Sequence, residues 1–261
     1  MVIGTAFSNL VLRSTDKEYP LIVHVPHALI SLTRYRLWRA AENEPRQWLY
    51  DLLVSFYSHS QGGGAGALAL IDSKSIVSYI TRPDLTHYHL LAWLAVYWSP
   101  FDAVFRTIRI PRHPLRLFCV AMDALDAITS TCGLVDKARK LHPKNLLFPA
   151  MVGVIMYNSG AFFRWCDERS RGLPSRTFLA QPNSGVARGA LLAAMYCWLG
   201  RIWRGGKHRN SVLVAISLFE VSAQVLEDAL NLNLLAWAHK PLFSLLGSMQ
   251  KKLRLGSSGK F

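Results

Sequence analysis

Three short stretches of the chain place polar or conformationally special residues inside apolar sequence. The first is Gln61-Gly62-Gly63-Gly64-Ala65-Gly66, preceded by Tyr57, Ser58, His59 and Ser60. Three adjacent glycines break or kink a helix, and the carbonyls they free must be met by protein or water. With Tyr57, Ser60 and Gln61 on the preceding turns, one reading is a water-lined path; the other is close helix packing through small residues. The second stretch, Tyr157-Asn158-Ser159-Gly160, is expected to interrupt a later apolar run in the same way. Its plainer alternative is a satisfied Asn beside a small-residue contact. The third is Asp123 and Asp126, which share one face of a helix and need water, a cation or a basic partner at that depth. Either Asp123 at least faces an ion path, where fixed negative charge concentrates cations, or the pair is salt-bridged to Arg116 or a neighbouring span.

Little else in the sequence looks catalytic. The 9 histidines are scattered, with His24 and His27 the one close pair within apolar sequence, and no nucleophile stands beside a base. Cys119, Cys132, Cys166 and Cys197 occur singly, without metal-ligand spacing, and read as reduced fillers. No metal, cofactor or enzymatic activity is expected.

These residues must be positioned by long apolar elements. The 261 residues are 51% hydrophobic and 18% charged, with 8 Trp and 12 Phe, which excludes a disordered or fibrous chain. Thirty Lys and Arg against 16 Asp and Glu give a formal charge of +14, so a nucleic-acid surface and a membrane surface both have to be considered. The placement of the charges decides between them. Uncharged intervals of about 17 to 20 residues separate Asp51 from Asp72, Asp84 from Asp102 and Lys144 from Arg164, close to the length that crosses a bilayer. Four further apolar intervals run from Tyr19 to Thr33, Leu115 to Val135, Gly189 to Gly200 and Ser211 to about Leu230. Short basic loops follow them, and Trp38, Trp48, Trp98, Trp165, Trp198 and Trp203 sit near their ends, as interfacial anchors do. The expectation is an all-α integral membrane protein of about seven spans, with no nucleic-acid partner.

Seven spans divide the loops into two sets. Arg34, Arg36, Arg39, Arg106, Arg109, Arg112, Arg164, Arg169, Arg171 and the Lys251–Arg254 tail put the larger share of basic residues on the C-terminal side. The positive-inside rule then makes the C-terminus cytosolic, although Lys137, Arg139, Lys140, Lys144 and the group Arg201 to Arg209 oppose it. No cleaved signal peptide is expected. The domain reading is an N-terminal lumenal segment over 1–18, a seven-helix channel domain over 19–230 and a basic cytosolic tail over 231–261.

Several motifs in register resemble the trimeric intracellular cation (TRIC) channels of the eukaryotic type. They are Tyr19-Pro20-Leu21 with His27-Ala28-Leu29-Ile30-Ser31, the Gly62-Gly63-Gly64 break, and the run Trp93-Leu94-Ala95-Val96-Tyr97-Trp98-Ser99-Pro100-Phe101-Asp102. Val120-Ala121-Met122, Asn158-Ser159-Gly160 and Val221-Ser222-Ala223-Gln224-Val225 complete the set, which extends from about Tyr19 to Leu230. The resemblance implies two three-helix repeats plus a final helix, with broken second and fifth helices, and a homotrimer with one ion path per protomer. It also implies potassium as the permeant monovalent cation, an endoplasmic reticulum membrane, a lumenal N-terminus, and a counter-ion current during calcium release or uptake. Gly62, Gly64, Gly66, Gly153 and Gly160 would let helices approach closely.

One departure stands out. Animal members of the family continue Val-Ala-Met with Lys-Glu-Val-x-Arg, whose basic residues hold a phosphoinositide headgroup, whereas this chain has Asp123 and Ala127 there. That implies loss of the site, leaving Arg112, Arg116, Lys137 and Lys140 as residues that could meet an anionic membrane lipid elsewhere or simply snorkel to the interface. The alternative functions are a divergent non-conducting structural protein of the same fold, or a membrane-embedded enzyme.

Overall fold

The computed structural model describes residues 2–15, 20–41, 48–56, 62–72, 74, 76, 82–145, 147–172, 184–202 and 209–232. All regular structure among them is helical: α1 (Val2–Thr15), α2 (Pro20–Ala41), α3 (Trp48–Ser55), α4 (Gly62–Ile71), α5 (Pro83–Trp98), α6 (Ala103–Arg109), α7 (Pro114–Leu141), α8 (Leu147–Ser170), α9 (Ser184–Ile202) and α10 (Arg209–Leu230). Taking α3 and α4 as two pieces of one span, the apolar intervals become α2, α3/α4, α5, α7, α8, α9 and α10.

Proline sets several starts. It opens α2, α5 and α7, where its fixed φ suits the first helical turn and its missing N–H is no loss. The His113 ring accepts from the Leu115 amide and caps α7. Between α5 and α6 the Trp98–Asp102 motif forms a sharp corner. Phe101 (φ 54°) and Asp102 (φ 59°) are both left-handed, a conformation unfavourable for residues with a Cβ. Arg36 compensates by donating to both carboxylate oxygens of Asp102, at 3.2 and 2.8 Å, and to the Val96 carbonyl at 2.6 Å.

Around its apolar interior the bundle carries an apolar surface, and a few ionisable side chains are buried within it. Large apolar side chains face outward, as at Leu90, Leu91 and Leu94 on α5 and Leu218, Phe219 and Leu226 on α10, while Arg39, Asp51 and Glu220 are buried. Such a surface is stable against lipid and unstable against water. Among the described residues α7 alone meets a strict length and hydropathy threshold for spanning a bilayer. The others are shorter or carry the ionisable residues that point inward.

The largest apolar core joins α1, α2, α7, α9 and α10 through Val11, Val23, Leu125, Ile128, Leu192, Tyr196, Leu213 and Ile216. α1 thus packs on this core through Val11, with Phe7, Leu10 and Leu12 beside it. A second core ties α4 to α7 and α8 through Ala67, Leu68, Leu134, Ala138 and Val152. The expected interruption at Tyr157–Gly160 is corrected: α8 continues as helix from Leu147 to Ser170. One glycine costs a helix only about 1 kcal/mol, less than exposing unpaired backbone to lipid.

Candidate ion path and buried charge clusters

Between α2 and α7 lies a ladder of ionisable side chains. His24 and His27, one turn apart on α2, meet Asp126 and Asp123 of α7: His24 Nδ1 lies 3.1 Å from Asp126 Oδ1, and His27 Nδ1 lies 2.7 Å from Asp123 Oδ1. Arg34 reaches the other Asp123 oxygen at 2.6 Å. The order of the pairs shows that the two helices run antiparallel. Asp123 is therefore ion-paired to a neighbouring span. Arg116 is not its partner: Arg116 grips both carboxylate oxygens of Asp228 on α10, at 2.6 and 2.7 Å.

A second cluster joins α8, α9 and α10. Glu220, with no solvent exposure, sits at the middle of α10 and lies 2.9 Å from Arg188 Nε of α9. Gln224 donates to Glu220 at 2.6 Å, the Tyr157 hydroxyl of α8 donates to it at 3.5 Å, and Arg188 Nη1 continues to Glu227 at 2.8 Å. Arg188 Nη2 and, one turn before Glu220, Ser217 Oγ are buried with no hydrogen-bond partner among the described residues. The sequence signal for this cluster was an acid within an apolar run and an arginine at the foot of another.

The helices carrying the cluster pack unusually closely. A Cβ added at Gly189 of α9 would lie 2.7 Å from the Tyr157 Cβ and 2.9 Å from the Gly153 carbonyl oxygen of α8. Glycine at both positions is what lets these backbones approach. Gly153 thus serves contact within the protomer.

A third group closes the end where α2 terminates. Arg39 pairs with Asp51 at 3.1 Å, the Tyr35 hydroxyl donates to Asp51 at 3.3 Å, and Arg171 pairs with Asp167 at 2.6 Å while Tyr50 also bonds Asp167. The Arg36 guanidinium lies 4.0 Å from the centre of the Phe105 ring, a cation–π contact.

The remaining sequence-predicted residues are placed as follows. Tyr57, Ser60 and Gln61 lie outside the described residues, as do Ser58 and His59. Gly62 and Gly63 open α4 and Gly64 is buried, so the glycines begin a helix that packs on α7 and α8. Asn158, Ser159 and Gly160 belong to the continuous α8. Arg112 donates from Nε to the Ala229 carbonyl at 2.7 Å, beside Arg116, whereas Lys137 and Lys140 are exposed near the far end of α7. Twenty-eight residues make α7 about 42 Å long, so these four cannot meet one headgroup.

Residues 41–226 match the family model described as TRIC channel. The chain belongs to the TRIC channel family. Two solved structures of a trimeric intracellular cation channel from C. elegans share its fold. The one with bound Ca2+ is 17% identical, with a TM-score of 0.62 and coverage of 85% of this chain and 98% of that one. The one without Ca2+ is 16% identical, with a TM-score of 0.67 and coverage of 88% and 98%. A structure from work on the activity of TRIC counter-ion channels in calcium release gives 16% identity, a TM-score of 0.68 and coverage of 86% and 100%. No curated protein matches. TRIC family members are channels, which sets the membrane-enzyme alternative aside, and the all-α membrane fold agrees with the inward-facing charge clusters.

Proposed function

We propose that this TRIC family member is a monovalent cation channel that passes potassium across an intracellular membrane, the endoplasmic reticulum, as counter-ion current during calcium release or uptake. The observation that carries the reading is the family match over residues 41–226. The working assembly is a homotrimer with one path per protomer. Its N-terminus is lumenal and its C-terminus cytosolic, with 19–230 as the channel and 231–261 as a basic tail.

Within a protomer, the path follows the glycine-opened end of α4 and the Tyr157–Gly160 face of α8, with Tyr57, Ser60 and Gln61 as polar lining. Glu220 lies close to that face through Tyr157, and Ser217 stands one turn before Glu220 on α10. Buried polar atoms without protein partners are the kind that water reaches, which suits a hydrated path. Asp123 and Asp126 keep a cation-attracting role in modified form. Arg34 and His27 both engage the Asp123 carboxylate, whereas Asp126 meets only His24 among the described residues, so we assign the cation-attracting role to Asp126. No cofactor takes part, and anionic lipid is a ligand at most.

Potassium efflux from proteoliposomes tests the reading, together with cross-linking in mild detergent. Efflux that rises with protein content and cross-linking that stops at three copies are expected; absent efflux from an assembled trimer would favour a non-conducting structural role.

A further inference from the structure

At the far end of α7 from Arg116 there is a cavity of about 360 Å³ lined by Asp136, Arg139, Lys140, Pro143 and Arg209. Three cations face one acid. Asp136 is already engaged: it accepts from Arg209 Nε at 2.9 Å and Nη2 at 2.5 Å, and from the Tyr196 hydroxyl at 2.9 Å. Arg139 and Lys140 have no carboxylate partner among the described residues, and the Arg209 side chain is more than half exposed.

One ordinary explanation covers part of this cluster. The C-terminal end of a helix favours cations, which accounts for Arg139 and Lys140 in the last turn of α7. Arg209 is the first residue of α10, the end that disfavours a cation, yet Asp136 and Tyr196 hold it beside the other two. Membrane topology does not explain the cluster either. In the orientation proposed above, on which this step rests, this end of α7 is lumenal, where the positive-inside rule calls for no excess of Lys and Arg.

We infer that this cavity is a lumenal binding site for a phosphate group, with Arg139 and Arg209 as planar donors, Lys140 as a mobile point charge, and Asp136 as the tether that fixes Arg209. Guanidinium forks match phosphate oxygens two at a time, and an ammonium adds charge without fixed geometry. The phosphate reaches the site as an anionic lipid headgroup or as a free ion; either would stand at the membrane interface, where the helix ends emerge.

Native mass spectrometry of the purified full chain in mild detergent, with phosphatidic acid or phosphatidylcholine added, tests the inference. Phosphatidic acid is expected to be retained over phosphatidylcholine, and the double variant Arg139→Gln, Lys140→Gln to retain it about tenfold more weakly or worse, a loss of about 1.4 kcal/mol or more of charge-assisted bonding. Should the double variant fail to fold, Lys140→Glu, an exposed single change, carries the same expectation. Lys137→Gln, outside the cavity lining, should leave retention unchanged. Displacement by inorganic phosphate would identify a free-phosphate site, and retention despite it a lipid headgroup site. Equal retention of the two lipids, or undiminished retention by the double variant and by Lys140→Glu, overturns the inference. Binding in detergent depends on neither conduction nor orientation, so its failure would leave the channel reading standing, and a non-conducting protein that binds phosphatidic acid would do the reverse.

Discussion

Arg188 of α9 lies 2.9 Å from Glu220 of α10, and neither side chain reaches solvent to any useful extent. A pair of this kind is held together as much by the cost of separating it as by its own attraction.

Removing one partner should therefore cost far more than removing both. Arg188→Met strands Glu220 and is expected to lower stability by about 3–5 kcal/mol, whereas Arg188→Met with Glu220→Gln should recover most of that loss. Thermal unfolding in detergent measures both, and a double variant no more stable than the single one would contradict the pairing.

The α8–α9 contact makes a steric prediction. Gly189→Ala places a Cβ against Tyr157 and the Gly153 backbone and should destabilise by about 1–3 kcal/mol. Gly133→Ala on α7 meets nothing within 4 Å and should stabilise by roughly 0.5–1 kcal/mol through helix propensity. Opposite signs in the two Tm shifts are the expected result.

Much of this architecture was legible in the sequence. The uncharged runs ending at Asp72, Asp102 and Arg164 correspond to α4, α5 and much of α8, and proline marks the starts of α2, α5 and α7. What sequence could not supply was pairing across distance. Asp123 meets residues 89 and 96 positions away, so spacing along the chain left Arg116 and a neighbouring span equally open as partners. Glycine and asparagine weaken helices in water, which is why Tyr157–Gly160 has the sequence of a break. In a lipid-facing bundle the backbone hydrogen bonds outweigh that preference. Glu220 stands as an acid within an apolar run, and its partner Arg188 lies 32 positions away on another helix.

Asp126 yields a test of electrostatics. Asp126→Asn should reduce cation current at low ionic strength and much less at high, because salt screens a fixed charge. Loss of thermal stability with conductance intact at both ionic strengths would make the residue purely structural.

Filling the glycine-opened end of α4 should narrow the path. Gly63→Leu with Gly64→Leu is expected to reduce single-channel conductance in an assembled trimer, while helix propensity rises. Unchanged current would mean that Gly62–Gly64 serve packing against α7 and α8.

A planar bilayer containing the purified protein, with a potassium chloride gradient across it, measures potassium conduction directly. The current should reverse close to the potassium equilibrium potential. Reversal at the chloride potential, or no current from protein that cross-links as a trimer, would contradict the account.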